Sequence, residues 1–138
     1  MAHKKIVHIV GTGTIGEPLI GTLSTFKEQF GIDEVTFHKR TPLVTDRSKV
    51  IVSCQQGAKL AVDKDRWQKF VEMGMQPALE SEEAIERANV IIDCTPVGNE
   101  NKEKLYRKYA GNGRGFIAQG SEDGFGKKYA RGINDRAL

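Results

Sequence analysis

Little in this sequence belongs to the chemistry of secreted, membrane-bound or metal-bound proteins. Its two cysteines, Cys54 and Cys94, are too few and too isolated for a disulfide framework or a zinc site. No metal is expected, and a reducing cytoplasm suits them. No apolar run approaches the ~20 residues that cross a bilayer. The opening apolar stretch, Ile6–Val10, stops at a glycine before it reaches the length of a signal peptide's hydrophobic region. The protein is therefore expected to be soluble and unexported, with no membrane partner. An excess of one charge is missing too: 21 Lys and Arg stand against 18 Asp and Glu, a net +3. Nucleic acid would call for a long basic stripe or interleaved aromatics, and neither is present. The basic excess is local, in His38, Lys39, Arg40, Arg47 and Lys49 with Asp46 as the one acid among them, which suggests a single anion site.

Glycine is plentiful at 15 residues, and three of them stand in one turn. Gly11-Thr12-Gly13-Thr14-Ile15-Gly16 follows the apolar run Ile6–Val10 and precedes a helix-like stretch, residues 18–30. A strand that turns into a phosphate-binding helix needs one glycine for the sharp turn. It needs a second where phosphate meets bare backbone, and a third where helix and strand pack closely. The backbone N–H groups of Gly13, Thr14, Ile15 and Gly16 would then face a pyrophosphate at the positive end of the helix. Glu17 places a negative charge beside that site.

A chain of 138 residues, 38% hydrophobic and 28% charged, has room for one domain with a real core. Residues 1–138 are expected to form a single dinucleotide-binding domain. Residues 5–10 read as a strand, and residues 18–30 as a helix with Leu19, Leu23, Phe26 and Phe30 at helical spacing and Gly31 closing it. Glu34–His38 is a second strand. Residues 43–55 fit a helix through Leu43, Arg47, Val50, Ile51 and Cys54, although Val50-Ile51-Val52 also fits a short strand; helix is the expectation. A strand at 59–62 leads to a helix from Asp65, with an apolar face of Trp67, Phe70 and Val71 and a cap from Asp63 or Asp65. Ser81 is expected to cap another short helix. Residues 89–93 are apolar enough for the middle of a parallel sheet. A polar helix at 101–109, with a solvated face, precedes a last strand at 116–118. This alternation predicts an α/β fold, a doubly wound and mainly parallel sheet of the Rossmann type.

The residue that distinguishes nicotinamide cofactors should end the second strand, where a carboxylate would hold ribose hydroxyls. None is there. His38-Lys39-Arg40-Thr41-Pro42 instead puts two fixed cations, Lys39 and Arg40, where a ribose 2′-phosphate would lie. NADP is accordingly the expected cofactor and NAD the second choice, against the plainer reading of a solvated turn. At the end of the strand at 89–93, Thr95 could hydrogen-bond the cofactor while Pro96 stiffens the loop. Cys94 has a carboxylate, not a base or cation, as its sequence neighbour, so it reads as a buried structural thiol rather than a nucleophile. His8 reads as a satisfied core or sheet-face residue. Gln119, Gly120 and Ser121 end the last strand on the cofactor side, towards the nicotinamide half.

In order along the chain, 10–16, 38–42, 90–96 and 116–120 resemble the cofactor domain of glyceraldehyde-3-phosphate dehydrogenase, particularly the archaeal type, and Asp93-Cys94-Thr95-Pro96 is the most specific element. The resemblance implies that Gly11, Gly13, Thr14, Ile15 and Gly16 hold the pyrophosphate and that Lys39 and Arg40 hold the adenosine ribose. It assigns the middle of the cofactor to Thr95 and Pro96, and the nicotinamide side to Gln119 and Gly120. It also implies a catalytic cysteine and a histidine base in a second domain. Residues 129–134 resemble the stretch shortly before that cysteine, so no catalytic residue is assigned in this chain and it is expected to be inactive alone. A separate catalytic polypeptide is one expected partner and a second copy of the chain another. A standalone nucleotide-binding or regulatory module is the alternative, and a degenerate relative that binds nothing the third reading.

Overall fold

The computed structural model describes residues 3–119, 124 and 126–137. Six parallel strands form one sheet in the order β4-β3-β2-β1-β5-β6. They are β1 (Ile6–Val10), β2 (Glu34–His38), β3 (Ala58–Val62), β4 (Leu79–Glu80), β5 (Val90–Asp93) and β6 (Gly115–Ala118). Among the described residues five α-helices accompany them: α1 (Gly16–Thr25), α2 (Arg47–Gln55), α3 (Trp67–Glu72), α4 (Ser81–Arg87) and α5 (Glu100–Lys104). β1 lies between β2 and β5, so the chain winds outward in one direction as far as β4 and then returns to the other side of β1. Ligands of open α/β sheets lie outside the strand ends at such a reversal. Register aligns those ends, with Val10 opposite both His38 and Asp93, and His38 opposite Ala61. The doubly wound α/β fold read from the sequence is the fold observed.

Alternation in the strands sorts side chains onto two faces. One face carries Val7, Ile9, Val35, Phe37, Leu60 and Val62, buried with Ile20, Val50 and Phe70 from the helices. The other packs Val10 and Ile91 with Ile85, Tyr106 and Tyr109, while Ala61 meets Leu79 and Ala84.

Several boundaries differ from the sequence pattern. Helix α1 begins at Gly16 and ends at Thr25, and its buried row is Gly16, Ile20 and Ser24. Phe26 and Phe30 lie off that row, 46% and 56% exposed. Gly31, at φ +67°, does close the turn that follows. Residues 43–55 resolve as a 3-10 turn, Val44–Asp46, and then helix α2. Neither Asp63 nor Ser81 caps a helix, because the Ser81 hydroxyl donates to the Asp63 carboxylate at 2.9 Å instead. The expected polar helix at 101–109 breaks into α5 and a 3-10 turn, Tyr106–Tyr109, whose two tyrosines are buried against the sheet near Phe116. β4 was not legible as a strand, since two residues carry no period. Among the described residues, no helix is long and apolar enough to cross a membrane.

Candidate functional site

Each glycine of the first turn is constrained differently. Gly11 holds φ +100°, a conformation that side chains rarely adopt, and a Cβ there would stand a tight 3.2 Å from the Cys94 backbone. At Gly16 a Cβ would stand 2.0 Å from the Gly11 carbonyl oxygen, a collision that only glycine avoids. Gly13 has nothing within 4 Å of the place a Cβ would take, leaving its backbone open to solvent. Helix α1 starts here with no side-chain cap. N–H groups at an uncapped helix start, with the positive end of the dipole behind them, favour an anion.

The charged groups around this turn are already arranged in pairs. Glu17 leans to Lys49, at 3.1 Å across the α1–α2 contact. Lys39 is only 8% exposed, with Nζ 2.6 Å from Asp46 Oδ2 and 3.4 Å from the Thr12 hydroxyl within the glycine turn. Arg40 is exposed, and it adds to the effect by which the hydrogen bond and charge of Lys104 hold the Glu100 carboxyl below its ordinary range. His38 points to the opposite face and bonds Asp63 at 2.9 Å. The basic cluster of the sequence is thus divided. Lys39 joins the glycine turn, and His38 leaves it.

At the end of β5 the sequence reading missed Asp93, whose carboxylate is 1% exposed. Its Oδ1 accepts from the Thr95 backbone N–H at 2.8 Å and the Thr95 hydroxyl at 2.6 Å. Its Oδ2 accepts from Asn101 at 2.9 Å and from the Tyr106 hydroxyl at 2.8 Å. This hub ties the loop after β5 to α5 and to the turn beyond it. The clue in the sequence was an acid ending an otherwise apolar buried strand. The Thr95 hydroxyl donates to Asp93 and accepts from the Asn101 amide at 3.1 Å, so towards a ligand it can only accept, through its remaining lone pair. Pro96 is exposed. Cys94 is buried, and its Sγ lies 3.9 Å from Gln119 Oε1. Gln119 also donates its backbone N–H to Asp93 O at 3.0 Å, which brings the end of β6 beside the glycine turn's neighbour strand. Gly120 and Ser121 lie outside the described residues.

Known proteins share this arrangement of sequence. Glyceraldehyde-3-phosphate dehydrogenase of Pyrobaculum arsenaticum is 36% identical over 120 residues, covering 85% of this chain and 32% of that enzyme. Glyceraldehyde-3-phosphate dehydrogenase 1 of Methanosarcina acetivorans is 36% identical over 110 residues, 78% of this chain and 30% of the relative. The Methanobacterium bryantii enzyme is 31% identical over 149 aligned positions, 94% and 41% of the two chains. This chain is a homologue of the N-terminal domain of archaeal-type glyceraldehyde-3-phosphate dehydrogenase. It spans about a third of the length of the curated relatives it matches. No protein-family model matches it.

The glyceraldehyde-3-phosphate dehydrogenase-like domain also has a pocket of about 430 Å³ on the second sheet face, lined by His8, His38, Asp63, Ser81, Ile85 and Leu105 among others. His8 is fully buried, with Nδ1 2.7 Å from the Thr36 hydroxyl. Its Nε2 has no partner among the described residues, so the reading of a satisfied core or sheet-face residue holds for its burial and its Nδ1 but not for its second nitrogen. Burial, aided by the charge of His38, lowers its pKa to about 3, so the ring is neutral at physiological pH. Bonding from His38, then its charge, outweighs burial at Asp63 and holds that carboxyl below its usual range. Among the described residues no cluster of three or more His, Cys, Asp or Glu could hold a metal ion. Burial pushes the Cys54 thiol up, away from the reactive thiolate.

Proposed function

We propose that residues 1–138 form a nicotinamide-dinucleotide-binding domain working as the cofactor half of a glyceraldehyde-3-phosphate dehydrogenase-like oxidoreductase. The glycine turn carries this reading, since an open Gly13 beside an immovable Gly16 leaves bare amides at a helix start where a pyrophosphate fits. Gly11, Gly13, Thr14, Ile15 and Gly16 hold the pyrophosphate; Lys39 and Arg40 hold the adenosine ribose. Thr95 accepts a hydrogen bond from the middle of the cofactor beside Pro96, and Gln119 with Gly120 lies towards the nicotinamide. The same two cations favour NADP over NAD, because a 2′-phosphate offers Arg40 a bidentate partner.

When bound, the nicotinamide supplies a hydride acceptor for oxidation of an aldehyde phosphate. This chain's residues bind and orient it. Neither thiol among the described residues fits a nucleophile, since Cys94 is buried with its Sγ 3.9 Å from the Gln119 amide oxygen and burial raises the Cys54 thiol. The proposal therefore places the catalytic cysteine and histidine in a second domain or a separate polypeptide.

Calorimetric titration of the purified chain with NADP and NAD tests the reading, with Gly13→Val as the control. A Cβ at Gly13 meets nothing within 4 Å, so the fold is expected to persist while dinucleotide affinity falls at least about tenfold. Absence of binding in the wild type, or equal binding by the variant, overturns the proposal.

A further inference from the structure

We propose that Asp46 sets the coenzyme preference of this domain, acting as a built-in anion that competes with a ribose 2′-phosphate for Lys39. This rests on the dinucleotide reading above. The sequence shows no carboxylate at the end of β2, but the fold returns one: Asp46 ends the 3-10 turn Val44–Asp46 and comes back to Lys39 with Nζ–Oδ2 at 2.6 Å. Asp46 makes no capping bond to α2, so its carboxylate goes to Lys39 instead. The side chain of Lys39 is 9% exposed and that of Asp46 28%. The pair is therefore partly withdrawn from water, where charges act on one another more strongly than at an open surface.

The pair's position makes it selective. Thr12 of the glycine turn, Lys39, Asp46 and the Glu17–Lys49 pair line one cleft beside α1. Within that cleft positive and negative charges cancel. Arg40, which follows Lys39 outside that lining, makes no ion pair within 4 Å among the described residues and so has charge to spare. An incoming 2′-phosphate must displace Asp46 from Lys39 and then lie beside a like charge. A ribose 2′-hydroxyl has the opposite relation, because it can donate to the carboxylate already there. Asp46 thus restrains the preference for NADP that Lys39 and Arg40 create.

The test uses the whole chain, titrated with NADP and with NAD, as wild type, Asp46→Asn, Lys39→Met and the double variant. Asp46→Ser serves as a second replacement, because serine suits the start of a helix should asparagine disturb α2. Asp46→Asn is expected to raise the affinity for NADP relative to NAD by about tenfold. In the Lys39→Met background the same change is expected to move that ratio less than about twofold, as a double-mutant cycle requires of a competition for one ammonium. A merely structural role for Asp46 would weaken both coenzymes alike. A ratio unchanged in both Asp46 variants overturns this inference and leaves the dinucleotide reading intact, as does a full shift without Lys39. Failure of the wild type to bind either coenzyme defeats both.

Discussion

On one face of the sheet, β1, β2 and β3 present Val7, Ile9, Val35, Phe37, Leu60 and Val62 to helices that answer with Ile20, Val50 and Phe70. On the other, β1 and β2 present His8, Glu34, Thr36 and His38, all but the last fully or nearly buried. Each polar group there needs a partner. Thr36 serves His8, Asp63 serves His38, and Lys59 and Arg87 serve Glu34. Burial of apolar area does not depend on protons, whereas the polar partnerships do. The acid sensitivity that the shifted groups His8, Glu34 and Asp63 confer consequently belongs to the second face, and the variants below separate the two.

The largest effect is expected at His8. Its folded pKa of about 3 lies below the ordinary 6.5, so the native state binds fewer protons than the unfolded chain across that interval. Stability from this group is complete above pH 6.5 and declines as pH falls towards 3, by at most about 5 kcal/mol. The lowered pKa values of Glu34 and Asp63 add to the loss only below about pH 4.5. Urea unfolding at a series of pH values reads the slope. Replacing both partners, His8→Leu with Thr36→Val, should flatten it between pH 6.5 and 4.5 while costing little at pH 7.5, since no buried polar atom is left alone. An undiminished slope would place the acid sensitivity elsewhere.

Phe37→Ala probes the opposite face. Phe37 is 1% exposed within the apolar cluster, and truncating such a ring typically costs 3–5 kcal/mol, roughly the size of the His8 effect or slightly less. The loss should be the same at pH 7.5 and pH 5. A loss that grew as pH fell would show the two faces to be coupled and the contrast between them to be false.

What the sequence made legible follows the same division. Strands β1, β2, β3 and β5 and the apolar face were readable because an apolar period needs no knowledge of partners. The glycine turn was readable because its three constraints fall within six neighbouring residues. The polar face was not. Nothing near His8 in sequence announces Thr36, 28 positions away, and nothing near Lys39 says that Asp46 would fold back onto it. Asp93 could be read only as the end of a strand, because its partners Asn101 and Tyr106 lie on elements whose boundaries were themselves misplaced. Phe26 and Phe30 show the converse error, where helical spacing suggested a buried face and the helix stopped before reaching them.

The smallest effect is expected at Lys59, and it sharpens the contrast by showing how the polar face tolerates loss. Burial alone would raise the pKa of Glu34, but the bond to Lys59 and the charges of Arg87 and Lys59 together hold it below its ordinary value. The Glu34 side chain is buried, Lys59 is half exposed and Arg87 is partly covered, at 3.1 Å and 2.9 Å respectively. Removing the exposed partner leaves the carboxylate still paired, so Lys59→Met should cost less than about 1 kcal/mol at pH 7.5. Arg87→Met removes the better covered partner and should cost somewhat more. Removing both strands a buried charge, so the double variant should lose more than the two single losses together, and thermal melts of the three variants measure that excess. Strict additivity would mean that water already solvates Glu34, and the polar face would then owe its stability to packing like its counterpart.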